Sequence, residues 1–193
     1  PNGPLNYIFY GYWMKLFGDD VWAIKLPWLI SEIFISICIY MIAEDLMNQN
    51  KAFLCSLLYT IMPASYFPGI FVGCDELITS AFTVGAVYLF FKQKYSVSAI
   101  LLGLGISYKL FPVFALIPVF YYFYTRRQIK ELIYYVLMTV AVYFVIALPF
   151  MIINFESFAY WNFSQANREI TIPYFYLNRD AFFFQPLLTI MFV

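Results

Sequence analysis

The stretch LIYYVLMTVAVYFVIALPFMII, from Leu132 to Ile153, carries no charged residue. An α-helix rises about 1.5 Å per residue and a bilayer's hydrocarbon layer is about 30 Å thick, so about 20 apolar residues can cross it. This run is long enough. Val21–Ala43 is comparable, interrupted only by Lys25 and Glu32. Shorter apolar runs follow the same pattern at Ala52–Phe67, Leu77–Phe91, Ser96–Ser107 and Leu110–Tyr124, and a truncated one starts at Phe182. The shorter runs fall below the usual minimum of about 17 residues. Flanking Tyr, Trp and Lys can extend them into the interface. Pro63, Pro68 and Pro112 also allow broken or partly inserted helices, which are tolerated only where protein covers them or a wet cavity borders them.

Composition agrees with the runs. Apolar residues make up 64% of the chain and charged residues 11%, against about 45–50% and about 25% in a soluble domain. A soluble enzyme and a disordered tail are excluded, and a net charge of zero leaves no basic surplus for a nucleic acid. The expected fold is all-α: one polytopic transmembrane helical bundle.

The absence of histidine removes Ser-His-Asp catalysis, His-ligated metals and an imidazole switch. Cys38, Cys55 and Cys74 lack metal-type spacing and read as small buried hydrophobes. Chemistry is left to carboxylates, Lys, Arg, Tyr and Asn. The chain starts at Pro1, with no signal-peptide pattern, and stops inside an apolar run, so it is expected to be a fragment of a larger bundle.

Basic residues orient the spans. Lys51, Lys92, Lys94, Arg126, Arg127 and Lys130 fall in alternate connections, which the positive-inside rule places in the cytoplasm. The opposite connections hold Asp19, Asp20, Asp75, Glu76, Glu156, Glu169 and Asp180. That outer side also carries the one long loop, residues 154–181, of a length often functional in a compact bundle. Before the first span, Leu5, Ile8, Phe9, Tyr12, Trp13 and Leu16 follow a 3.6-residue period. Pro4 suits a helix start and Gly18 an end, so residues 4–17 predict a juxtamembrane amphipathic helix on the outer surface, or one packed across the top of the bundle.

Several residues are candidates for substrate binding. Asp75 and Glu76 stand at the outer mouth of a span and can bind a cation or a sugar hydroxyl; the alternative is that they cap the helix opening at Leu77. Lys109, with Tyr108 beside it, sits in a very short outer turn. A lysine there is costly unless paired or functional; a lipid phosphate suits its point charge, and snorkelling to headgroups is the alternative. Arg168 and Arg179 lie in the long loop among Trp161, Tyr174 and Tyr176, which suit a sugar and a phosphate or, equally, an interfacial belt. Asn162-Phe163-Ser164 is a formal glycosylation triplet. Lys25 and Glu32 share a helix face about 10 Å apart, too far to pair. Glu32, near mid-membrane, is expected to find a partner on another helix or to serve an ion relay.

The stretch Pro4–Pro27 resembles the first outer loop of the GT-C superfamily, integral-membrane glycosyltransferases that use polyprenyl-phosphate sugars. It holds their juxtamembrane "P-L-Y" helix, an "LFG" turn (Leu16-Phe17-Gly18) and an "A-x-R-L-P" span opening in which Lys25 replaces the Arg. Gly73-Cys74-Asp75 resembles the "G-Q-x-D" element of mannosyltransferase-like members, one residue shorter. Gly103–Pro112 resembles their "G-L-A-x-x-x-K-x-x-P" turn, with Lys109 at the lysine. The resemblance runs from Pro1 to about Ile153.

It implies transfer of a hexose, with inversion, from a polyprenyl-phosphate-linked donor to an acceptor at the outer or lumenal face. It also implies a catalytic carboxylate in the first outer loop, a position that Asp19 and Asp20 follow too late to fill, so the base is expected upstream of Pro1 and this piece alone is expected to be inactive. Within that frame Lys109 is assigned to the phosphate and Asp75 to a sugar or acceptor contact, with Arg168 and Arg179 as helpers. No metal site is assigned; a divalent cation at the carboxylates is the one cofactor option. The expected partners are the lipid-linked donor and membrane lipids, and the expected location is a multi-pass position in a plasma membrane, or in the endoplasmic reticulum of a eukaryote. A transporter or lipid flippase using Lys25 and Glu32 is the competing class, and a non-catalytic subunit presenting its outer loop is a third.

Overall fold

A computed structural model of the chain describes residues 3–62, 76–156 and 158–159. It is all-helical. α1 (Pro4–Phe17) starts with proline in its first turn, where a missing N–H costs nothing. It ends at Gly18, whose φ of 83° is a conformation that residues with a Cβ rarely adopt. α2 (Val21–Leu46) contains Pro27, whose carbonyl accepts a bond from the Ser31 hydroxyl at 2.8 Å. α3 (Gln49–Ile61) opens on Asn48, whose side chain accepts from the Lys51 amide. α4 (Glu76–Phe91) and α5 (Tyr95–Tyr108) flank a tight turn at Lys92 and Gln93. A 3₁₀ turn (Phe111–Ala115) then leads into α6 (Leu116–Thr125), and α7 (Ile129–Ile153) follows.

Side by side the helices run α3, α2, α4, α5, α7, α6, with α1 laid against α2, α5 and α7. The connections α2–α3, α4–α5 and α6–α7 share one end, where Lys92 pairs with Asp45 at 2.7 Å. That is the end with the basic connections. Asp45 and its hydrogen bond hold the Lys92 ammonium above its ordinary pKa.

α2 and α7 are long and apolar enough to cross a membrane. At 26 and 25 residues they extend about 39 and about 37 Å. Only 33% of the most apolar window of α2 and 11% of that of α7 is buried, whereas the core helix of a soluble protein is mostly buried. Their outward faces show Ile30, Ile33 and Ile37, and Leu137, Val145 and Leu148, to the surroundings. Such surfaces need an apolar solvent, and they support an integral membrane protein.

Where lipid and protein are equally apolar, helices associate through close packing and interhelical hydrogen bonds. The α4–α5–α7 contact uses both. Ala86, Ala99 and Ser98 are buried at the seam. A Cβ on Gly103 would stand 2.7 Å from the Thr139 carbonyl oxygen and 2.8 Å from Val142 Cβ, so the two backbones meet here because glycine has no side chain. The Ser98 hydroxyl donates to the Ala86 carbonyl at 2.7 Å and lies 2.8 Å from the Tyr135 hydroxyl, joining three helices. Towards the basic end, Phe90, Tyr95, Tyr122, Phe123 and Tyr135 pack mostly edge to face, and the Arg126 guanidinium lies 4.3 Å from the Tyr122 ring centre.

The apolar stripe of α1 is divided between two environments. Leu5 and Phe9 pack onto the bundle, while Tyr12 and Leu16 stay exposed.

Candidate functional site

At the end opposite the basic connections, α4 begins and α5 stops. Glu76 is the first residue of α4, where a carboxylate is favoured by the helix dipole. Lys109 caps α5 in an extended conformation, its amide bonded to the Gly105 carbonyl at 2.9 Å. Pro112 soon follows; α5 does not continue through Lys109. These two helix ends bring the Lys109 Nζ to 2.6 Å from Glu76 Oε1. The pair is asymmetric: the Lys109 side chain is 15% exposed and that of Glu76 47%. The cation is largely enclosed, and the Glu76 Oε2 is buried although the side chain as a whole is partly exposed.

Tyr108 anchors the pair from below. It is fully buried, its ring against Phe9 of α1 and Phe82 of α4. Its carbonyl accepts the Gly3 amide at 2.7 Å. Gly3 approaches so closely that a Cβ would collide with the Ser107 carbonyl oxygen. The start of α1 is thereby fixed to the residues next to Lys109. Trp13 Nε1 donates to the Ala23 carbonyl at 2.7 Å, and Trp28 Nε1 donates to the Tyr10 hydroxyl, so α1 is also tied to the top of α2.

Of the sequence candidates, Glu76, Tyr108 and Lys109 therefore gather at one place. Asp75, Arg168 and Arg179 lie outside the described residues, as do residues 160–181 of the long loop and the truncated run from Phe182. Sequence reads Glu76 as a substrate-binding or helix-capping carboxylate and Lys109 as a phosphate ligand, each by itself; in the structure the two are paired. The cost of a lysine beside hydrocarbon was the available signal for a partner, and sequence offered no means of naming it.

Glu32 is buried, and its Oε2 accepts from the Tyr59 hydroxyl of α3 at 3.1 Å. That is a partner on another helix, one of the two outcomes expected for it. Among the described residues no group of three or more Cys, Asp or Glu side chains gathers as a metal site would.

Chemically, the site is a largely enclosed ammonium paired with a carboxylate, beneath a helix rich in aromatic residues. It can hold an anionic oxygen against an apolar wall. A family model described as dolichyl-phosphate-mannose-protein mannosyltransferase matches residues 2–153, which include every residue of this site. Comparison with curated proteins and with solved structures gives no match.

Proposed function

The chain belongs to the dolichyl-phosphate-mannose-protein mannosyltransferase family, and from that premise we propose that it forms part of a membrane glycosyltransferase. It takes a hexose, mannose by the family's description, from a polyprenyl-phosphate-linked donor and passes it to an acceptor hydroxyl at the outer or lumenal face. In this proposal α3 to α6 also enter the membrane, so the bundle is polytopic, in a plasma membrane or the endoplasmic reticulum.

The observation that carries the proposal is the Lys109–Glu76 pair at the bundle end covered by α1. Departure of the lipid phosphate leaves negative charge, and a fixed cation in a low-dielectric setting stabilises that charge more than water would. Lys109 supplies it. Glu76 holds the ammonium in place before the donor arrives, and the phosphate takes over that contact when it binds. Tyr108 positions the lysine by fixing the residue before it, through its buried ring and the Gly3 amide. Asp75, next to Glu76 in sequence, is assigned to a sugar or acceptor hydroxyl, with Arg168 and Arg179 as further contacts. The acceptor must also lose a proton to a carboxylate base; we assign that role to none of the described residues.

The test uses the full-length protein in native membranes with a polyprenyl-phosphate hexose. Lys109→Gln should lower kcat by about 100-fold, the scale for removing one charge-stabilising group, with a smaller change in KM. Lys109→Arg should restore part of it. Turnover by Lys109→Gln equal to that of the parent would remove the residue from the mechanism.

A further inference from the structure

Two turns at the basic end repeat one backbone design. After α4 the Gln93 amide donates to the Phe90 carbonyl and the Lys94 amide to that of Leu89, both at 2.9 Å. After α6 the Arg127 amide donates to the Tyr124 carbonyl at 3.0 Å and the Gln128 amide to that of Phe123 at 2.9 Å. This is the helix end in which a left-handed residue, usually glycine, closes the last turn. Here the left-handed positions, with φ of 59° and 58°, hold Gln93 and Arg127. A residue with a Cβ is disfavoured there. At Arg127 a long cation is kept where glycine would suit the backbone better, the kind of local cost that accompanies a functional side chain.

The α6–α7 turn is also short of anions. Arg126, Arg127 and Lys130 are exposed, as is Lys94, and none of the four enters an ion pair among the described residues. Lys92, by contrast, has Asp45. The carboxylate in the segment, Glu131, lies in the first turn of α7, where the helix dipole favours it. The Arg126 guanidinium is held over Tyr122, whose hydroxyl lies 3.3 Å from that of Tyr95, the residue after Lys94. The two turns therefore stand side by side. Tyr121 and Tyr124, within two turns before the cations, and Tyr134, one turn after, are exposed, as in an interfacial aromatic belt. Only residues 126–128 connect α6 to α7, which keeps the cations at headgroup depth and favours a lipid over a soluble acidic protein.

We propose that Arg126, Arg127 and Lys130, with Lys94 from the neighbouring turn, bind the phosphate headgroup of an anionic phospholipid. Guanidinium groups hold phosphate oxygens through paired hydrogen bonds, and the Tyr121 and Tyr124 rings border the lipid below its headgroup. The proposal rests on α6 entering the membrane and not on the transfer chemistry at Lys109.

The test reconstitutes the full-length protein in mixed phosphatidylcholine and phosphatidylglycerol vesicles. A photoactivatable analogue of each lipid is added in turn, and adducts are mapped by mass spectrometry. Adducts within residues 121–131 should form with phosphatidylglycerol in excess over phosphatidylcholine. Arg126→Gln or Lys130→Gln should weaken the apparent phosphatidylglycerol affinity about fivefold, the worth of one charge near an anionic surface. Arg127→Gly should weaken it as much while raising the unfolding midpoint, since glycine suits the left-handed position; this variant decides the matter even where the others disturb the fold. Lys51→Gln, in the first turn of α3, should leave it unchanged. Equal adducts with both lipids, an equal loss with Lys51→Gln, or unchanged affinity in Arg127→Gly would overturn the proposal. So would displacement of the lipid by inorganic phosphate but not by chloride at equal ionic strength, which would assign the cations to a soluble anion. Adducts with neither lipid would overturn it together with the membrane placement of α6.

Discussion

Gly103→Ala tests the packing that holds the site's helices together. The added methyl would stand 2.7 Å from the Thr139 carbonyl oxygen and 2.8 Å from Val142 Cβ, against about 3.5–4.0 Å for an unstrained carbon contact. A backbone oxygen inside a helix cannot turn aside, so α5 and α7 must part by a large fraction of an ångström. Overpacking of this kind costs about 1–3 kcal/mol. Parting also stretches the bond from the Thr139 hydroxyl to the Ala99 carbonyl, already 3.3 Å long. Alanine's helix propensity returns about 1 kcal/mol, so propensity must be separated from packing.

Gly11 provides the control. It lies inside α1, where an added Cβ meets nothing within 4 Å; Gly11→Ala should gain the propensity term alone, about 0.5–1 kcal/mol. The two substitutions should therefore differ by about 1–3 kcal/mol, the Gly103 variant being the less stable. Reversible unfolding in mixed micelles, read by tryptophan fluorescence, measures both. Equal stabilisation by the two substitutions would refute the close approach of α5 and α7.

Three further outcomes follow from named contacts. Gly3→Val should release the start of α1, since its Cβ would collide with the Ser107 carbonyl; faster tryptic cleavage after Lys15 in membranes would report it, and an unchanged cleavage rate would count against the docking. Ser98→Ala removes the hydroxyl shared with Ala86 and Tyr135 and should cost about 1 kcal/mol in the same unfolding assay, with Tyr135→Phe adding little on top; full additivity would mean that the two hydroxyls do not interact. Asp45→Asn should leave stability at neutral pH unchanged within error, because its pair with Lys92 is exposed. The Lys92 pKa is raised in the folded protein, so whatever the pair contributes is present below the ordinary lysine pKa and is lost as pH rises through the raised one. A contribution that grew in alkali instead would contradict that assignment.

Membership of the helical class was legible from residue periods and from apolar runs, since both are local. The divided face of α1 was less so: the same period that places Phe9 against the bundle places Leu16 outside it, and only contact with α2 and α5 separates them. Span length read from hydropathy also gave α3 and α4 their positions without the order in which helices stand side by side.

From the sequence alone came a chain for membrane surroundings, its alternation of basic and acidic connections, a proline-led juxtamembrane helix, and Glu76, Tyr108 and Lys109 as separate candidates. Hydrophobicity and backbone propensity act over a few residues, so each could be read within its own segment. Tertiary structure decided that Lys109 meets Glu76 across 33 positions, that Glu32 meets Tyr59 across 27, and that Gly3 is docked on Tyr108. Those pairings depend on which helices become neighbours. That order is set by small residues such as Gly103 and by hydroxyls such as Ser98, whose importance depends on what the fold places opposite them.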